Sequence, residues 1–278
     1  AEYSSDLRPQ YLEFAMRWQQ FTAPVMAKGM EDTAFYVDNT LISRNEVGGD
    51  PLREKPPRTL KEFHGLMRER QARWPHSMNA TSTHDTKRSE DSRARINVLT
   101  EMAEEWWERV ERWSAWNEAY KTEVGGSKTP TENEEVLLYQ ALLGIWPLEE
   151  EEPAVLTERM KEFLLKAARE AKDHTGWIRH DEEHEAALMR FTEEVLAGRE
   201  GNRFLADLQE FAGRVAVHGA ANSLSQLLVK MMAPGLPDFY QGTELWTFSL
   251  VDPDNRREVD FRRREAMLEE LRRREQED

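Results

Sequence analysis

Ser82-Thr83-His84-Asp85-Thr86-Lys87-Arg88 is the densest run of groups that hydrogen-bond and titrate in the chain. An aspartate flanked by cations is readily kept ionised. Two readings fit the spacing equally well. In the first, Asp85 or Thr86 caps a helix that begins near Glu90. In the second, the run is a strand-to-helix turn of the kind where barrel enzymes place catalytic groups. The two are compatible with one another.

Three other clusters have the residue types for chemistry. Val25 to Tyr36 holds Lys28, Glu31 and Asp32, which are suited to binding hydroxyls, although a capped surface loop accounts for the stretch more simply. Ala233 to Glu244 holds Tyr240 and Gln241 and reads first as a strand between two turns. His180-Asp181-Glu182-Glu183-His184 sets two histidines four apart, the spacing of a zinc-protease helix. Its second position is Asp181 rather than glutamate, and no strong third ligand is marked, so no metal is expected. Trp106, Trp107, Trp113 and Trp116 have faces that could stack on sugar rings. At helical spacing, core packing is the simpler role for Trp106 and Trp113. Nucleophile-elbow, phosphate-loop and dinucleotide motifs are absent from the sequence.

Most of the elements that must position these groups read as amphipathic helix. Leu99, Met102, Trp106, Val110 and Trp113 form one stripe, broken at Gly125-Gly126. Thr131 and Glu134 form a capping-box pair ahead of the next helix, which Pro147 ends. Pro153 occupies a first helical position, followed by Leu156, Met160, Phe163, Ala167 and Ala171. Leu188, Phe191 and Val195 make a shorter stripe. A long one runs from Phe204 through Leu208, Phe211, Val215, Leu224 and Leu228 to Met231, and stops at Pro234-Gly235. Arg262 to Asp278 is a highly charged helix that needs a neighbour. Ser77–Ser82 and Leu236–Gly242 are candidate buried strands. The first hundred residues are rich in loop signals, and Glu149–Glu152 reads as a solvated helix approach.

Composition narrows the field. The 278 residues carry a net charge of −15, from 38 basic and 53 acidic side chains. A surface this acidic argues against nucleic acid or an anionic membrane as the main partner and suits a neutral substrate. There is no cysteine, hence neither a disulfide framework nor a thiolate zinc site. No stretch approaches the ~18 apolar residues of a membrane span. A cytoplasmic location is the expectation.

Taken in order, several stretches resemble the maltooligosyl trehalose synthases, a branch of the α-amylase superfamily of glycoside hydrolases. They are Phe21 to Gly29 with Phe35-Tyr36, Asn45-Glu46-Val47-Gly48-Gly49-Asp50-Pro51, Ala80 to Asp91, and Leu143-Gly144-Ile145-Trp146-Pro147. Further along come Lys166 to Lys172 with His174 and Trp177, Pro234 to Leu245, and Leu250 to Arg257. The resemblance implies a (β/α)8 barrel with large insertions. It implies that Asp85 matches the transition-state-stabilising aspartate after strand seven and His84 its substrate-binding neighbour. Lys87, Arg88, Lys28, Glu31, Asp32, Tyr240 and Gln241 are then expected to bind substrate, a maltooligosaccharide, with no cofactor. Strand eight would lie at Gly235 to Glu244.

On this reading residues 1–99 lead up to and include strand seven. Residues 100–213 are a helical insertion, and 214–278 hold the return helix, strand eight and a final helix. The implied chemistry is retaining: a carboxylate nucleophile and a carboxylic acid convert a terminal α-1,4 link to the α,α-1,1 link of trehalose. Neither carboxylate motif has a counterpart here, so the expectation is an inactive fragment. It would be mainly α, its two strands paired only with each other or lost, and its exposed apolar surface would drive self-association. The other readings are an α-glucan hydrolase or glucanotransferase, which the stretches at Lys28–Tyr36 and Asn45–Pro51 disfavour, and a non-catalytic helical binding module.

Overall fold

The computed structural model describes residues 7–49, 59–149 and 152–277. Helix dominates. In chain order the helices are α1 (Arg8–Met26), α2 (Phe35–Val37), α3 (Leu60–Arg73), α4 (Glu90–Asn97), α5 (Ala103–Asn117), α6 (Glu132–Ile145), α7 (Pro153–Ala171), α8 (Glu182–Leu196), α9 (Arg203–Met232) and α10 (Phe261–Glu277). The strands are β1 (Met78–Asn79), β2 (Thr122–Val124), β3 (Ser127–Thr129) and β4 (Leu236–Pro237).

The core is built around α6, which is buried from Glu135 to Ile145. A helix apolar on all sides must be surrounded, and α4, α5, α7 and α9 do this. Trp113 of α5 is fully buried. Its ring meets Tyr139, Phe204, Phe211 and Trp106 edge to face at centroid distances of 5.3 to 6.2 Å. Its indole N–H donates to Asp207 at 2.7 Å. Thr131 and Glu134 form the capping box, and Pro153 opens α7. The stripes of α5, α7 and α8 face inward, as does the first half of the α9 stripe.

The second half of the α9 stripe does not. Leu224, Leu228 and Met231 are exposed, as are Phe261, Leu268 and Leu271 of α10 and Phe14, Trp18 and Phe21 of α1. α9 runs unbroken through the 213/214 boundary, so one helix serves both segments on either side of it.

The two candidate strands shrink to two residues each. β1 and β4 pair in parallel, Met78 opposite Leu236 and Asn79 opposite Pro237. A second small sheet is a hairpin that the helical pattern hid. β2 and β3 are joined by Gly125 and Gly126, both with positive φ, as a two-residue hairpin turn requires. Three other expectations need correction. The N-terminal region holds two long helices, α1 and α3, the latter started by a Thr59–Glu62 capping box. The stretch Val25 to Tyr36 is not a loop, because α1 passes into a π-helix over Ala27–Ala34. The cap of α4 is Ser89, not Asp85 or Thr86. Asp50, Pro51, Glu150 and Glu151 lie outside the described residues.

No helix among the described residues is long and apolar enough to cross a membrane. His180 precedes α8, and His184 is spoken for: its Nε2 lies 2.8 Å from Glu134 and its Nδ1 3.2 Å from Thr129 Oγ1. Among the described residues no cluster of three or more metal-ligating side chains forms.

Two outcomes follow from this core. Trp113→Ala is expected to cost about 3–5 kcal/mol by urea denaturation, because a fully buried indole leaves a cavity at the centre of the aromatic core and Asp207, still held by Arg109 and Arg112, loses one of its donors. Trp107→Ala, at an exposed site, should stay within about 0.5 kcal/mol. The second outcome concerns His184. Burial disfavours its charged form, but the Glu134 hydrogen bond and charge outweigh that and raise its pKa above 6.5. Glu134 is lowered below 4.5 against its own burial, by its hydrogen bond with His184. A raised histidine stabilises fully below its unfolded pKa and loses that contribution as pH rises through the folded one. A lowered carboxyl contributes above its unfolded value and loses it on acidification. The stability difference between the wild type and His184→Gln should therefore peak between about pH 5 and 6.5 and shrink toward pH 9. A difference that stays flat from pH 5 to 9 contradicts this.

Candidate active site

Residues 82–89 leave β1 and turn into α4. The turn closes on itself. Thr86 Oγ1 donates to the Thr83 carbonyl at 2.9 Å and accepts from the Thr83 amide at 3.3 Å, while the Asp85 amide donates to Thr83 Oγ1 at 3.2 Å. With its polar backbone bonded inward, the turn points His84 and Asp85 outward. Both side chains are about 70% exposed, and the imidazole Nε2 lies 3.2 Å from the Asp85 carboxylate. On the far side Asn255 donates to the His84 carbonyl at 3.0 Å.

Ser89 locks the turn to the loop after β4. Its hydroxyl caps α4 at Ser92, donates to the Thr247 carbonyl at 2.5 Å and accepts from the Ser249 amide at 3.1 Å. An open cavity of about 230 Å³ separates these two segments. Its lining includes Ser82, Thr83, Thr86, Tyr240, Gln241 and Asn255.

The π-helix closes the site from the opposite side. Asp32 is shared by two lysines: Lys28 at 2.5 Å and Lys87 at 2.9 Å. Burial alone would raise the Asp32 carboxyl, but hydrogen bonds from Lys28 and Lys87 hold it below its ordinary 3.8. Lys28 is raised, chiefly by its hydrogen bond to Asp32, with Asp85 contributing through its charge. Lys87 is largely buried and sits over the Tyr36 ring at 5.5 Å. Burial pushes the Tyr36 hydroxyl well above 10. Glu31 lies half-buried on the same segment. Lys172, at the end of α7, donates to Thr33 at 2.6 Å, and Lys166 pairs with Asp252 at 2.6 Å.

One expected site residue is out of place. Arg88 is fully buried behind the turn, where its guanidinium donates to the carbonyls of Ile42 and Asn45 at 3.0 and 3.3 Å, and burial lowers its pKa to about 10. It anchors the turn instead of facing outward from it. Sequence reasoning missed Glu46, Arg93 and Asn255, which hold the turn. Glu46 reaches residues more than forty positions away, and such contacts leave no local signal.

The site therefore presents an exposed imidazole and carboxylate beside a lysine–aspartate–lysine cluster and a hydroxyl-rich cavity. Such groups can bind a polyhydroxyl ligand and stabilise positive charge at Asp85. Comparison with known proteins gives the family. No family model matches the chain. It is 38% identical over 259 residues to a putative maltooligosyl trehalose synthase of Mycobacterium tuberculosis, covering 93% of this chain and 32% of that protein. The structure of maltooligosyltrehalose synthase from Arthrobacter ramosus aligns with a TM-score of 0.79 at 39% identity, covering 92% of this chain and 31% of the other. A further maltooligosyl trehalose synthase structure aligns at 0.83 and 36% identity, over 97% of this chain and 35% of the other. The chain thus spans about a third of the length of the relatives it matches. By sequence and by fold it belongs to the maltooligosyl trehalose synthase family.

Proposed function

We propose that this chain is the part of a maltooligosyl trehalose synthase that carries the ends of strands seven and eight of a (β/α)8 barrel, with Asp85 as the transition-state stabiliser. One observation carries the reading: His84 and Asp85 stand exposed on a turn that leaves β1, beside its parallel neighbour β4. Adjacent parallel strands with functional groups at their carboxyl ends are what such a barrel requires.

The reaction is an isomerisation in trehalose biosynthesis. A carboxylate displaces the terminal sugar bond with retention, and a second carboxylic acid protonates the leaving oxygen. The released glucose is turned and recaptured at its anomeric hydroxyl. Asp85 offsets the positive charge that develops on the glucosyl ring, and His84 holds the ring. Lys28, Glu31, Asp32, Lys87, Tyr240 and Gln241 bind the maltooligosaccharide hydroxyls around it. The helical segment 100–213 walls the site against water, which would divert the intermediate to hydrolysis. Arg88 supports this from behind.

The nucleophile and the acid have no counterpart in these residues, so the chain alone is inactive. Incubating the purified chain with maltopentaose should give no trehalose-terminated product, and measurable product sinks the claim. In a chimera where the chain replaces the matching segment of the Arthrobacter ramosus enzyme, turnover should return. Asp85→Asn should then lower kcat by about 10²–10³. The exposed apolar rows of α1, α9 and α10 support self-association of the isolated chain. Sedimentation is expected to show mass rising with concentration.

A further inference from the structure

The stretch Asn45 to Gly49 has no part in the chemistry above, yet its one carboxylate reaches the back of the functional turn. Glu46 Oε1 accepts from the Lys87 amide at 2.7 Å, and Oε2 accepts from the Arg88 amide at 3.1 Å. These are the two peptide groups by which the chain leaves Thr86. Oε2 also pairs with Arg93 of α4 at 2.8 Å. Arg93 in turn donates from Nη1 to the Arg88 carbonyl at 2.7 Å and from Nη2 to the Thr81 carbonyl. One guanidinium therefore ties the entry of the turn to its exit, and one carboxylate grips both the guanidinium and the exit amides. The two side chains are only 12% and 13% exposed. Charged hydrogen bonds out of water are stronger and more directional than surface pairs.

The loop that carries Glu46 is itself fixed. Gly49 donates to the Glu46 carbonyl at 2.7 Å. A Cβ at Gly49 would lie 2.7 Å from that oxygen and 2.9 Å from the Arg44 carbonyl, so only glycine closes the loop. Asn45 ties it to α2, which continues from the π-helix, through the carbonyls of Phe35 and Asp38. The same loop thus touches both sides of the site.

We infer that Glu46 and Arg93 are positioning residues: a buried carboxylate–guanidinium clamp that sets the direction of His84 and Asp85. The inference rests on the function proposed above, but its structural half can be read without it. Amide hydrogen exchange on the 278-residue chain decides that half. Glu46→Gln keeps the side chain's length and one carbonyl oxygen but loses the charge and the second acceptor. The Lys87 and Arg88 amides should then exchange about ten- to a hundredfold faster, with α6 unchanged. Unchanged exchange at Lys87 and Arg88 overturns the clamp, and so does equal acceleration in α6, which marks general destabilisation. In the Arthrobacter ramosus chimera, Glu46→Gln should lower kcat about tenfold or more and leave KM within about twofold, as misaligned catalytic groups do. Glu46→Asp, too short to reach both amides, should not restore it. Wild-type turnover in Glu46→Gln overturns the positioning role. A chimera inactive even with Glu46 intact counts against the proposed function, and the exchange result still judges the clamp.

Discussion

The structure hangs on the burial of charge along one short helix. α4 places Glu90, Asp91, Arg93 and Arg95 where water is largely excluded. Each must find its partner or destabilise the fold by several kcal/mol. They find them in four directions. Glu90 meets Lys230 of α9 at 3.2 Å and also accepts from Thr81. Asp91 accepts from Ser223 and from the Thr247 amide. Arg93 takes Glu46. Arg95 stacks on Phe248 at 3.4 Å and donates to the Trp146 carbonyl at 2.5 Å. α4 is thus the joint at which α9, the loop after β4, the loop before α7 and the 45–49 loop meet. α9 crosses it so closely that a Cβ at Gly219 would lie 2.9 Å from the Arg95 Cα.

This explains what was legible in the sequence and what was not. Helices α5, α7 and α8 announced themselves because their stability is amphipathic. Trp106 with Trp113, and Leu156 with Met160, Phe163 and Ala167, recur at helical spacing and are buried as spaced. The cap at Thr131 and the helix start at Pro153 depend only on residues close by in the chain, so they too could be read. Leu224, Leu228 and Met231 follow the same period yet lie exposed, because periodicity gives the face of a helix and not what covers it.

The site was half legible. Adjacency drew His84 and Asp85 out of the sequence, and both stand exposed on the turn, but it did not say which residue caps α4. Ser82, Thr83, Asp85, Thr86 and Ser89 all have capping chemistry. Ser89 wins because its hydroxyl also bonds Thr247 and Ser249, some 160 positions away. The Arg88 guanidinium looked like a ligand group for the same reason: nothing local says that it turns inward to Ile42 and Asn45. The π-helix at Ala27–Ala34 was hidden because Lys28, Asp32 and Thr33 read as loop polarity. In the fold they are held by Lys87 and Lys172 from elsewhere in the chain.

The continuity of α9 has a mechanical consequence. Thirty residues form a rod about 45 Å long. Its first half is clamped in the aromatic core around Phe204 and Phe211, and its far end feeds β4 directly. Beyond Gly219 it is tied to α4 at Ser223 and Lys230, so the rod carries the position of the core over about 20 Å to its last turn, at the start of β4. Tyr240 and Gln241 follow that turn within ten residues. Substitutions that repack Phe204 or Phe211 are thus felt as displacement at the cavity beside His84, far from where they are made.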